Sequence, residues 1–304
     1  MSTTHVPRGG GVDRTGLDNL LGSSDHPMNG LAYSKSLLGG HLIGVLPLTD
    51  GRYACFFKEY SYVESGEVKQ SENKVLLLST VSGSSLPVVI GVEDQNWISF
   101  DSSGKRGYLL VEKEGAASLV VLQSDVDKVS LLSVNEIPTA TNEKSEPVIF
   151  DSGVSVGGGF ISVASTSHEE IYLARTTQSG VTDKSSWEFL SENTYRKSKD
   201  GLRPQKGTKG TLEAKGVIHF VEIQGAGFIF VREESTVTLY KKNRYGVWSK
   251  SDSIESPESE GVLGFCLMKS IPAYSEEGYR YTIPAVFSVA GEPITQHWVM
   301  ASIN

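Results

Sequence analysis

YACFFKEY from Tyr53, YLLVEKEG from Tyr108, FISVASTS from Phe160, FIFVREES from Phe228 and YTIPAVFS from Tyr281 are five versions of one phrase. In each, an aromatic residue opens a short apolar run that ends in polar residues. The starting points lie 55, 52, 68 and 53 residues apart. A near-constant period marks a repeated supersecondary unit, and strand-rich repeats of roughly 40–60 residues point to propeller blades.

The neighbouring strands fall into place around these landmarks. Before each comes a run of small and apolar residues: HLIGVLPL from His41, NWISF from Asn96, PVIF from Pro147, GVIHFVEI from Gly216 and GVLGFCLM from Gly261. After each comes a run of the kind KVLLLST from Lys74 or TVTLYKK from Thr236, and four units add a fourth, LPVVIGV, KVSLLSV, WEFLSE and VWSKSDS. Such short runs with turn signals between them predict an all-β fold, a five-bladed β-propeller of four-stranded antiparallel blades. The blades are expected at about 41–93, 96–137, 147–192, 216–254 and 261–304. The last unit lacks a fourth strand, and GLAYSKSLL from Gly30 supplies a spare one. The expectation is a ring closed by an N-terminal strand at about 30–38 that completes the last blade, because paired backbone removes the open edges. Residues 1–29 then form an extended arm and 30–304 a single domain.

Composition excludes several functions. The chain of 304 residues carries a formal net charge of −8, which argues against a general nucleic-acid surface. No apolar core opens the N-terminus and no run of eighteen apolar residues occurs, so neither a signal peptide nor membrane insertion is expected. That places synthesis in the cytoplasm. Cys55 and Cys266 lie in strand-like runs of the first and last blades and read as buried thiols; a bridge between them is geometrically demanding. The long third spacing holds a basic loop, 195–215, with Arg196, Lys197, Lys199, Arg203, Lys206 and Lys209. It reads first as a solvated loop, and second as a contact for an acidic partner or a phosphate-bearing polymer.

Enzyme motifs are sparse. There is no HExxH pair, no phosphate-cradling glycine loop ahead of a helix and no GxSxG elbow. VSVGGGF at Val154 reads as a turn or bulge. Paired carboxylates remain, since inner-strand ends of a propeller converge on one mouth, where an acid and a base could act on a glycosidic bond. The candidates are Asp101, Asp151 and Glu222 as catalytic groups, with Asp50 and His219 as ligand-binding ones. Asp101 and Asp151 stand before Ser and Gly, which also suits Asx turns, and His219 suits a satisfied core position. No metal site and no cofactor are expected; the acidic strand ends would suit a structural calcium ion, with no ligand motif behind it. The four tryptophans read as packing between blades more than as sugar platforms.

The stretch from Glu170 to Asn193, EIYLARTTQSGVTDKSSWEFLSEN, resembles the third strand, turn and fourth strand of five-bladed propeller glycosidases of the arabinanase and β-xylosidase type. Ser179, Gly180, Asp183 and Trp187 also resemble a degenerate sialidase Asp-box, a structural element. The resemblance implies carboxylates on the inner strands, with Asp50, Asp101 and Asp151 in loosely comparable regions. Three functions follow as expectations. The first is glycan or cell-surface recognition at the propeller mouth, in a virion-associated component such as a phage tail tip that attaches to an assembly partner through its arm. The others are a glycoside hydrolase acting on a cell-wall polysaccharide and a non-catalytic docking platform. Recognition is the leading expectation.

Overall fold

The computed structural model describes residues 2–4, 36–79, 85–166, 170–191, 194–197, 217–223, 226–233, 236–242, 248–255, 261–269, 281–291 and 294–303. Among the described residues five large antiparallel sheets follow one another along the chain, four of them four-stranded and the third five-stranded, with one two-stranded pair between the second and the third. Their innermost strands are Ser36–Pro47, Asn96–Ser103, Gly153–Gly157, Val217–Ile223 and Val262–Leu267. Each packs against the next in chain order, and the fifth packs against the first. That cyclic order makes the protein a five-bladed β-propeller. No helix among the described residues is long and apolar enough to cross a membrane.

Closure uses N-terminal backbone, but not the stretch expected. Ser2–Thr4 pairs antiparallel with Thr295–Ile303, Ser2 opposite Ser302 and Thr4 opposite Met300, as the outer strand of the last blade. Ser36–Leu38 instead extends the innermost strand of the first blade, since its partner strand Arg52–Glu64 is thirteen residues long and carries the ladder to Ser36 opposite Val63. The rest of the proposed closing strand and most of the arm lie outside the described residues. The third blade is also corrected. PVIF does not form its inner strand; Pro147–Val148 pairs only with Ala140–Thr141. The inner strand is Gly153–Gly157, from the stretch read as a turn, and the turn itself is Gly158 and Gly159, both with positive φ. Thr194–Arg196 adds a fifth strand to this blade at the start of the basic loop, whose residues from 198 to 216 lie outside the described residues.

Aromatic side chains fill the spaces between blades. Trp97, Trp187 and Trp248 are fully buried, as the packing reading expected. Phe100 stacks on Phe56 with centroids 4.1 Å apart. It reaches so close to the first inner strand that a Cβ on Gly44 would collide with its ring. We expect Gly44→Ala to lower stability by about 1–3 kcal/mol through overpacking. Equilibrium urea unfolding checks this, and an unchanged midpoint would show that the ring has room to yield. The Asp-box-like segment is a turn: Asp183 accepts from the backbone and side chain of Ser185, and Trp187 behind it is buried. Cys55 and Cys266 are free thiols buried in one apolar cluster, each pushed well above the usual thiol range by burial.

Candidate functional site at the ring centre and the blade 3–blade 4 mouth

Inner strands of a propeller do not hydrogen-bond to one another as a sheet, so their inward backbone groups need other partners. Side chains supply them at every junction. Ser102 Oγ donates to Val45 O (3.1 Å) between blades one and two. Asp101 Oδ2 accepts from Val156 N (2.8 Å) and Ser155 Oγ (3.1 Å) between two and three. Glu222 N donates to Ser155 Oγ (2.6 Å) between three and four. Leu267 N donates to His219 Nε2 (3.4 Å) between four and five. Cys266 Sγ donates to Ile43 O (3.3 Å) between five and one.

Lys269, just past the fifth inner strand, plugs this belt. Its ammonium lies 2.5 Å from Asp101 Oδ2, with the two side chains only 14% and 9% exposed. It also reaches Val156 O (2.9 Å), Ser155 Oγ (3.3 Å) and the backbone oxygen of Glu222 (3.3 Å). One lysine thus ties four blades together. Asp101 itself lies inside the strand, not in a turn, and a second oxygen accepts from Ser102 N. His219 is buried, and that burial pushes its imidazole down to about 4; the nearby Asp101 charge opposes the shift and Lys269 adds to it. Its ring therefore sits neutral, with Nε2 free to accept.

The other candidates do not join this group. Asp151 precedes the third inner strand, at the opposite end of the channel from Asp101, because Asp101 lies near the end of its own strand. The expected convergence on one mouth therefore fails for Asp151. Burial holds its carboxyl above the usual range, Ser152 lowers it in part, and the Glu112 charge adds to the rise. Asp50 is exposed in the turn after the first inner strand, where Arg52 binds it through the backbone (3.0 Å) and the guanidinium (2.6 Å). That pairing pulls its carboxyl below the usual range.

The Glu222 side chain turns outward from the belt and lies between blades three and four. Oε2 accepts from Ser162 Oγ at 3.0 Å. Around it stand Arg175, Lys242 and Tyr195. The Arg175 guanidinium is sandwiched between the rings of Phe160 (4.0 Å) and Tyr195 (3.8 Å) and donates to Glu188 (2.9 Å). Lys242 Nζ lies 5.9 Å from the Tyr195 ring; burial holds its ammonium below the usual range, against the pull of Glu222. The Tyr195 hydroxyl is buried without a hydrogen-bond partner among the described residues, and burial, reinforced by Glu222, pushes it well up. Arg196 and Lys197, in the described part of the basic segment, are exposed; Lys199, Arg203, Lys206 and Lys209 lie outside the described residues. Among the described residues no cluster of three or more His, Cys, Asp or Glu side chains is placed to hold a metal ion. Sequence reasoning names Glu222 and misses Lys269, Arg175, Lys242 and Tyr195, because lone cations and a lone tyrosine carry no motif.

No known sequence family matches the chain, and no curated protein is similar to it. Solved structures with a similar chain course include a GH43 enzyme from Xanthomonas citri (11% identity, 89% of this chain and 90% of that one, TM-score 0.47). A GH43 β-xylosidase/α-arabinofuranosidase from a compost microbial metagenome is another (10% identity, 90% and 95%, TM-score 0.42). A GH32 β-fructofuranosidase from Bombyx mori is a third (11% identity, 86% and 59%, TM-score 0.41).

Proposed function

We propose that the protein is a carbohydrate-recognition propeller that binds a glycan beside Glu222, between blades three and four, without cleaving it. The observation that carries this reading is the fate of the carboxylates. Hydrolysis needs two of them facing a glycosidic bond, about 5–5.5 Å or 6.5–9.5 Å apart. Asp101 is neutralised by Lys269, Asp151 belongs to the other end of the channel, and Glu222 turns away from both. What remains around Glu222 is a set of donors, acceptors and aromatic edges, Ser162, Arg175, Lys242 and Tyr195, of the kind that orients a polar ligand.

A hydrolase reading is favoured by one observation. Burial gives Asp151 the raised carboxyl that a general acid uses, and the Glu112 charge adds to it. Incubation with a panel of cell-wall polysaccharides, arabinan and arabinogalactan included, separates the two, scoring bound protein and released reducing ends. Binding without release is expected, weakened about tenfold or more by Glu222→Ala, a loss of one charged hydrogen bond. Release that Asp151→Asn abolishes would establish the hydrolase instead. Neither binding nor release would overturn the glycan reading and leave the docking platform.

A further inference from the structure

The outermost strand of blade two is unlike the outer strands of the other blades. Val129–Glu136 runs VSLLSVNE, with no charge and no proline from 129 to 135. Its inner edge pairs with Ala116–Ser124, and no strand among the described residues pairs with its outer edge. Leu131, Leu132 and Val134 are 40%, 51% and 47% exposed, half of the large apolar side chains that the described surface exposes. A bulge explains the adjacent leucines. The register slips between Val121 and Leu122, so that Leu132 has no partner and the in–out alternation breaks there.

Uncovered edges invite pairing with other chains, and most sheets blunt them with short strands, proline or charge. The other blades do so. Ser85–Val88 is four residues long and contains Pro87. Thr194–Arg196 is three residues long and ends in arginine. Trp248–Glu255 carries Lys250, Asp252 and Glu255. Ser2–Thr4 is short. Blade two has the bulge as its one such device, and that bulge turns a second leucine outward.

We propose that this edge is the interface of a homodimer, in which two copies of the strand meet antiparallel about a two-fold axis near Leu132. The charges select this occupant. An antiparallel pairing centred on Leu132 places Lys128 of one copy opposite Glu136 of the other, twice by symmetry, while the uncharged residues 129–135 face one another. Asp127 then falls opposite Ile137, so no like charges stand directly opposed. Lys128 and Glu136 are both exposed. Glu136 also meets Lys184 of its own chain at 2.7 Å, an exposed pair whose lysine would stand at the rim of the interface.

Light scattering of the full chain during size-exclusion chromatography, over a range of loading concentrations, tests this. The wild type should move from monomer towards dimer as concentration rises. Leu132→Lys should stay monomeric at every concentration while keeping its unfolding midpoint, since the side chain is exposed in the monomer. Lys128→Glu should weaken the dimer about tenfold by opposing two like-charged pairs, and adding Glu136→Lys should restore it. A wild type that stays monomeric throughout overturns the proposal. So does a dimer indifferent to Leu132→Lys, or one that the charge swap fails to rescue.

Discussion

Asp101→Ala should destabilise the folded chain by about 3–5 kcal/mol, the usual cost of leaving half of a buried ion pair unpaired. The substitution strands the Lys269 ammonium in a site that is only 14% exposed. It also removes the acceptor for Val156 N and Ser155 Oγ, so one side chain opens the junction between blades two and three and loosens the plug joining four blades. Urea unfolding should show the midpoint falling by about 1 M. Lys269→Met should also destabilise, by less, because Asp101 keeps its two backbone donors. The double variant Asp101→Ala with Lys269→Met should lose about 1–3 kcal/mol less than the sum of the singles, since the two groups act on each other. Additive losses would show that the pair contributes nothing as a pair. A midpoint for Asp101→Ala close to wild type would show that the centre is wet and the ring is held elsewhere.

Acid should weaken the fold through His219. Its imidazole titrates near 6.5 when unfolded and at about 4 in the folded chain, because burial opposes the charge. Above pH 6.5 both states are neutral there and the group contributes no pH dependence. As the pH falls from 6.5 towards 4 the unfolded state takes up the proton first, so stability is lost across that window. The full loss is roughly 3 kcal/mol, because each pH unit between the folded and unfolded titrations is worth about 1.4 kcal/mol. Protonation would also place an N–H against the Leu267 N–H that Nε2 now accepts. His41, lowered to about 4 by burial with the Lys58 charge adding to it, acts in the same direction. His219→Gln keeps an acceptor and removes the titration. Urea midpoints measured from pH 7.5 to 4.5 should therefore fall less steeply in the variant, by about 2 kcal/mol at the acid end. Parallel curves for the two proteins would place the acid sensitivity in other groups.

Much of the architecture is written in local pattern. The aromatic landmarks at Tyr53, Tyr108, Phe160, Phe228 and Tyr281 each open the second strand of a blade or stand one residue inside it or two. Period and strand length are local properties of the chain, and repetition multiplies the signal. The need for a closing N-terminal strand is equally legible, as an arithmetic deficit of one strand in the last unit. Its identity is not. Ser2–Thr4 is three residues long, and nothing in so short a polar segment separates it from the arm. GLAYSKSLL is the more apolar choice, yet its described part is drawn into blade one by the length of the facing strand.

The site divides the same way. Sequence points to Asp101, Asp151 and Glu222 because carboxylates at strand ends are what the chemistry of sugars would use. It does not say which end of the channel each one meets, since that depends on register within the ring. Asp151 lies just ahead of its strand on one side, while Asp101 lies inside its strand near the other end. Nor does it reveal Lys269, a single cation after an apolar run, whose partners Asp101, Ser155 and Glu222 lie between 47 and 168 residues away along the chain. Strand repeats are set by neighbours in sequence, and so the five blades are readable from composition and spacing. Which charges meet is set by closure of the ring, where desolvation forces every buried polar group to find a partner, and only the folded chain decides that.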